Sequence, residues 1–144
     1  MDAPNNEMRY FVAEATSNLR TSDYPDEEVE QQLDELLGQL EDQMSQSIEA
    51  DARFEYPTLE DAEDQLAAID GWAGLSSSAI GRVYAPASPW PRRTAGWDKR
   101  IVKRLRRMSN KLRAVLAPVA AALGAVHFSI SVGFPWGIAV GLSF

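Results

Sequence analysis

A chain of 144 residues with 45% hydrophobic and 24% charged side chains is long enough to bury one core, and this composition argues against wholesale disorder. With no cysteine and His127 as the single histidine, a disulfide framework, a thiolate zinc site, a thiol nucleophile and an imidazole metal cluster are all excluded. The net charge of −7 conceals opposite halves: residues 1–75 hold 20 acids and three bases, whereas 76–144 hold 11 bases and one acid, Asp98, and no charged side chain follows Arg113.

Such zoning fits either one half docking on the other or a basic arm that meets an acidic partner. The amino terminus, MDAPNNEMRY, lacks the basic and apolar regions of a secretory signal, so residence in the cytoplasm is the expectation.

Residues 6–19 place Met8, Phe11, Val12, Ala15 and Leu19 at helical spacing, which predicts a short first helix. Pro25 suits a first helical turn, and Asp26, Glu27 and Glu28 lie where a helix dipole favours anions. The second helix then runs along a stripe of Val29, Leu33, Leu36, Leu37, Leu40, Met44 and Ile48.

A third helix of about four turns is expected after Thr58, with Asp61 in the place of the usual capping-box glutamate. Leu59, Ala62, Leu66, Ile69 and Trp72 share its apolar side. The acids Glu60, Asp61, Glu63 and Asp64 read as dipole partners of its first turn, because no EF-hand pattern surrounds them.

From Gly74 to Gly96 the composition turns to Ser, Ala, Pro and Gly, and Pro86, Pro89 and Pro91 exclude a continuous helix. This stretch reads as a linker or wrapping loop, with Val83-Tyr84 as a short strand and Trp90 as an anchor.

A basic amphipathic helix follows, with Ile101, Leu105, Met108, Leu112 and Val115 or Leu116 as its stripe. Lys99, Arg100, Lys103, Arg104, Arg106, Arg107, Lys111 and Arg113 flank that stripe. Three roles fit these cations: phosphate contacts of a nucleic-acid arm, contacts to anionic lipid, or pairing with the acidic helices. No helix-turn-helix, RRM or zinc-finger pattern supports the first.

Residues 114–126 are apolar all round, and Pro118 is expected to break or restart the helix there. The period then changes to two. Phe128, Ile130, Val132 and Phe134 alternate with small residues, as do Ile138, Val140, Leu142 and Phe144, and Pro135-Trp136-Gly137 supplies a turn. The pair reads as a β-hairpin with a large apolar face and a small face of Ser, Gly and Ala. The large face could bury on the preceding helix, while two strands alone leave edge groups that call for further strands. The uncharged, β-branched alternation is also a steric-zipper signature.

The expected fold class is α+β, mostly α: three acidic N-terminal helices in residues 1–75, a Pro/Ser/Gly-rich loop in 76–96, and a basic helix, apolar helix and β-hairpin in 97–144. With His127 as the one imidazole and no base positioned beside a nucleophile, the chain reads as non-enzymatic, with no cofactor and no small-molecule substrate. The expected role is interaction or assembly, joining copies of the chain or docking on a partner's sheet. Its interface would be Phe128, Ile130, Val132, Phe134, Trp136, Ile138, Val140, Leu142 and Phe144. The alternative is a membrane-active protein, in which the eight cations meet anionic lipid or an acidic partner. Residues 114–133 would then insert as a tail anchor, or each chain would give one hairpin to a pore.

Overall fold

The computed structural model describes residues 1–19, 27–51, 55–84, 99–133 and 137–144. They form four helices and two strands: α1 Asn6–Leu19, α2 Glu27–Ala50, α3 Leu59–Tyr84, α4 Lys99–Leu123, β1 His127–Gly133 and β2 Gly137–Ser143. The fold is α+β, mostly α, with a C-terminal antiparallel hairpin, as the two periodicities require. Pro25, the Trp90 loop and the turn residues Phe134 and Trp136 lie outside the described residues.

Local chemistry sets the helix ends. The Asn5 side chain accepts the Met8 amide at 2.8 Å and caps α1. Thr58 does the same for Asp61 at 3.1 Å and starts α3. At the end of α4, the Ala125 amide bonds the Ala120 carbonyl at 2.9 Å and the Gly124 amide bonds Ala121 at 3.1 Å. This is a Schellman cap, and Gly124 supplies the positive φ of 78° that it demands.

Two boundaries differ from the sequence reading. Helix α3 has 26 residues and continues to Tyr84, so residues 76–84 are helix rather than loop and Val83-Tyr84 is not a strand. Burial of Leu75, Ala79, Ile80 and Val83 on one side holds this Ser- and Gly-rich extension helical, outweighing its poor intrinsic propensity. The helix ends two residues before Pro86.

Pro118 likewise lies inside a continuous α4 rather than breaking it. The carbonyl that loses its amide partner belongs to Ala114, on the exposed side, where it is open to solvent. The twenty uncharged residues 114–133 are therefore divided between α4 and β1 and do not form one helix. No helix among the described residues is long and apolar enough to cross a membrane.

Helices α3 and α4 pack together at the centre. On one side α2 lies against both, and α1 lies against α2 and α3. On the other side the hairpin covers the central pair, with β1 over α4 and β2 over α3. Among the described residues α2 does not touch the hairpin, so the molecule has three layers.

The stripes of α2 and α4 supply Leu33, Leu37, Leu40, Met44, Ile101, Leu105, Met108, Leu112 and Leu116, all essentially without solvent contact. Buried residues from all six elements belong to one cluster, so the acidic and basic zones fold around a common core. Two residues assigned to apolar stripes face water instead: Phe11 is 42% exposed and Leu59 59%.

Met1 is also buried. Its ammonium group donates to Asp51 Oδ2 at 2.7 Å and Gln65 Oε1 at 3.0 Å. The Trp72 indole N–H donates to the Asp2 carbonyl at 2.7 Å, tying this segment to α3.

Candidate interaction surface

The opposite charges of the two halves meet at the α2–α4 seam. Arg104 lays its guanidinium against Asp34, with Nε to Oδ1 at 3.2 Å and Nη2 to Oδ2 at 3.4 Å, while its Nη1 reaches Glu41 Oε1 at 2.8 Å. Arg107 donates to the same carboxylate through Nη2 at 2.9 Å and Nε at 3.3 Å. Lys111 Nζ adds a contact to Glu41 Oε2 at 3.3 Å and donates to Ser45 Oγ at 2.7 Å.

Asp34, Glu41 and Ser45 follow Arg104, Arg107 and Lys111 in the same chain direction, so the two helices run parallel and their matching polar rows lie side by side. Gly38 makes room for this row, because a Cβ there would stand 3.3 Å from Arg104 Cζ.

The Glu41 side chain is only 4% exposed. Burial alone would raise its pKa, but hydrogen bonds from Arg107 and Arg104 and the Lys111 charge prevail and hold it at about 2. Arg104, Arg107 and Lys111 thus have acidic partners on α2 within the chain.

Arg113 is used differently: its Nη2 donates to the Ile130 carbonyl of β1 at 2.8 Å. Lys99, Arg100, Lys103 and Arg106 lie exposed along α4.

The hairpin register pairs Phe128 with Leu142, Ile130 with Val140 and Val132 with Ile138, which puts these large apolar side chains on one face. That face packs on α3 and α4. Ile130 and Ile138 are 4% and 6% exposed, and Val132, Val140 and Leu142 pack against the core. Five of the nine residues read as an assembly interface are thus engaged within the chain. Phe128 and Phe144 are not covered in this way, being 37% and 77% exposed. They stand with Val126, 69% exposed, at the open end of the hairpin. On the small face Ser129, Ser131 and Ala139 are exposed.

The sheet edges carry the rest of the chemistry. Ser77 Oγ accepts the Ile138 amide at 3.0 Å and donates to the Ile138 carbonyl at 3.1 Å. Both backbone groups of Ile138 therefore point away from β1. By the two-residue period Val140 and Leu142 point the same way, as Ile130, bonded by Arg113, does on the opposite edge. The β2 edge beyond Ser77 has no hydrogen-bond partner among the described residues.

Gly137 allows the close approach at Ser77: its φ is 89°, and a Cβ would lie 3.0 Å from Ser77 Cα. Ser77 escaped the sequence reading, and Gly137 was read there only as a turn residue, because their contact joins segments 61 positions apart.

Other concavities are open and polar. A recess of about 310 Å³ is lined by Asp51, Glu55, Asp61 and Asp64, with Tyr56 on its wall. Burial first, and the Asp51 charge second, raise the Tyr56 pKa above its ordinary value. Among the described residues no group of three or more acids or imidazoles is arranged to hold a metal ion. His127 is exposed at the start of β1 and faces Ser143 across the ladder.

Comparison with protein-family models, curated proteins and solved structures returns no match.

Proposed function

We propose that this chain is a non-enzymatic assembly protein whose C-terminal hairpin recruits a further strand from another copy or from a partner's sheet. The observation that carries this reading is the outer edge of β2. Val140 and Leu142 direct backbone donors and acceptors away from β1 and have no partner among the described residues. A two-stranded sheet with such an edge is completed by adding a strand. The large apolar face supports the strand from below, and the ion-pair seam ties α2 to α4. No cofactor and no small-molecule substrate enter this reading.

The test is sedimentation-equilibrium mass of the full chain and of Val140→Pro. Proline at an outward-pointing edge position deletes the amide needed by an added strand while sparing the β1–β2 ladder. The expected result is assembly by the wild type, or capture of a partner sheet, and loss of both in an otherwise folded Val140→Pro chain. An unchanged assembly in that variant contradicts the reading.

A second reading rests on the exposed Val126, Phe128 and Phe144 beyond an outer row of Lys99, Lys103 and Arg106. An apolar tip at one end of α4 and a basic row towards the other also suit an anionic bilayer surface. Flotation with phosphatidylserine vesicles that is lost in Phe128→Ser/Phe144→Ser would favour it over assembly.

A further inference from the structure

The two edges of the hairpin are not equivalent, and the difference determines how copies could join. Along β1 the outward carbonyl of Ile130 already accepts Arg113, whose charged side chain lies at that edge. A cation on an edge opposes the approach of another strand. Along β2 no charged side chain is present: Ser77 consumes both groups of Ile138, and Val140 and Leu142 remain.

Among antiparallel pairings of β2 with itself, one register uses both remaining residues on each copy. Val140 then faces Leu142 of the second copy and the reverse, with Gly141 opposite Gly141 on the two-fold axis. The two reciprocal pairs exchange about four hydrogen bonds. The ladder stops there, because the next outward residue, Ile138, is sealed by Ser77.

Beyond the end of that ladder the same register brings Phe144 towards Ser77 of the second copy. Its ring, 77% exposed in one chain, then lies over the α3 of that copy near Ser77. Gly141 leaves the axis unobstructed, and the small residues flanking it, Ala139 and Ser143, are exposed.

Resting on the assembly reading above, we infer that two copies of this chain join β2 to β2 about Gly141, giving a four-stranded sheet whose outer edges are the two Arg113-guarded β1 strands. Such an isologous contact closes on itself, so assembly ends at two copies instead of growing into a fibre.

The chain contains no cysteine, so the register can be tested by introduced pairs. In the proposed dimer Ala139 faces Ser143 of the second copy at a non-hydrogen-bonded position, within the Cα separation that a disulfide accepts. Within one chain the two are four strand residues apart, about 13 Å, too far to bridge. Both side chains are exposed, so the substitutions leave the fold intact, which far-UV circular dichroism checks.

Under mild oxidation Ala139→Cys/Ser143→Cys is expected to run as a covalent dimer on a non-reducing gel, and each single variant as a monomer. The wild type is expected to sediment as two copies, and Arg113→Ser, which removes the guard, to grow past two copies.

A two-copy wild type whose double variant fails to cross-link overturns the register and leaves the assembly reading standing. A wild type larger than two copies, or an Arg113→Ser variant that stays at two, overturns the guarded closure. A wild type of single-copy mass at every concentration, with no partner sheet bound, removes the assembly reading and the inference together.

Discussion

Glu41 is the point where the acidic and basic halves are joined, and replacing it with glutamine tests the physics of that joint. In the folded chain its pKa is about 2 against an ordinary 4.5. At 1.36 kcal/mol per unit that difference is worth about 3 kcal/mol, an upper value because Arg107 and Lys111 are 62% and 42% exposed and their charges are screened. A folded pKa below the unfolded one stabilises the protein above pH 4.5, and this contribution is lost as pH falls from 4.5 towards 2.

Urea unfolding of the wild type and Glu41→Gln, followed by circular dichroism between pH 7 and pH 3, gives the measurement. At pH 7 the variant should be less stable by about 2 to 3 kcal/mol, since it leaves Arg104, Arg107 and Lys111 without their shared carboxylate. The gap should narrow steadily below pH 4.5, because the carboxyl of the unfolded wild-type chain takes up a proton there while the folded one, with its pKa of about 2, stays charged. A gap of the same size at pH 7 and pH 3 would refute the reasoning, because packing or shape, and not charge, would then account for it.

Two glycines with positive φ separate backbone strain from crowding. Gly124→Ala meets nothing within 4 Å and should cost about 1 kcal/mol, whereas Gly137→Ala drives a methyl into the Ser77 backbone and should cost at least about twice that; thermal melts rank the two. Ile130→Ala removes a buried side chain and should destabilise the chain by about 2 to 5 kcal/mol in chemical denaturation. Phe144→Ala should leave the stability of the single chain within about 0.5 kcal/mol while weakening assembly, as read by concentration-dependent sedimentation. Asn5→Ala and Thr58→Ala should each lower stability by about 1 kcal/mol through loss of a helix cap, also measurable by denaturation.

The hairpin was legible because its period of two contrasts with the period near 3.6 of the preceding helix; the structure keeps the large apolar residues of both strands on one face. The stripes of α2 and α4 were legible for the same reason. The last nine residues of α3 were not, because Ser76, Ser77, Ser78 and Gly81 obscure the spacing of Leu75, Ala79, Ile80 and Val83. Packing against neighbouring elements decides that segment, and local preference does not reveal it.

Charge zoning anticipated that the halves would meet, yet it could not say which cations pair. Arg104, Arg107 and Lys111 are selected by the parallel run of α2 and α4, and Arg113 is taken instead by a strand carbonyl. The asymmetry between the two sheet edges has no counterpart in the one-dimensional pattern, since Ser77 and Arg113 become edge residues only after the hairpin folds back on α3 and α4.

The β2 edge is tested most directly by amide hydrogen exchange at Val140 and Leu142 over a wide range of protein concentration. The inward amides of Ala139 and Gly141 belong to the β1–β2 ladder and should be protected at every concentration. If β2 pairs with a second copy, Val140 and Leu142 become protected as concentration rises, in step with the increase in mass. Exchange of these two amides at the rate of unpaired groups, even where the protein is most concentrated, would contradict the account.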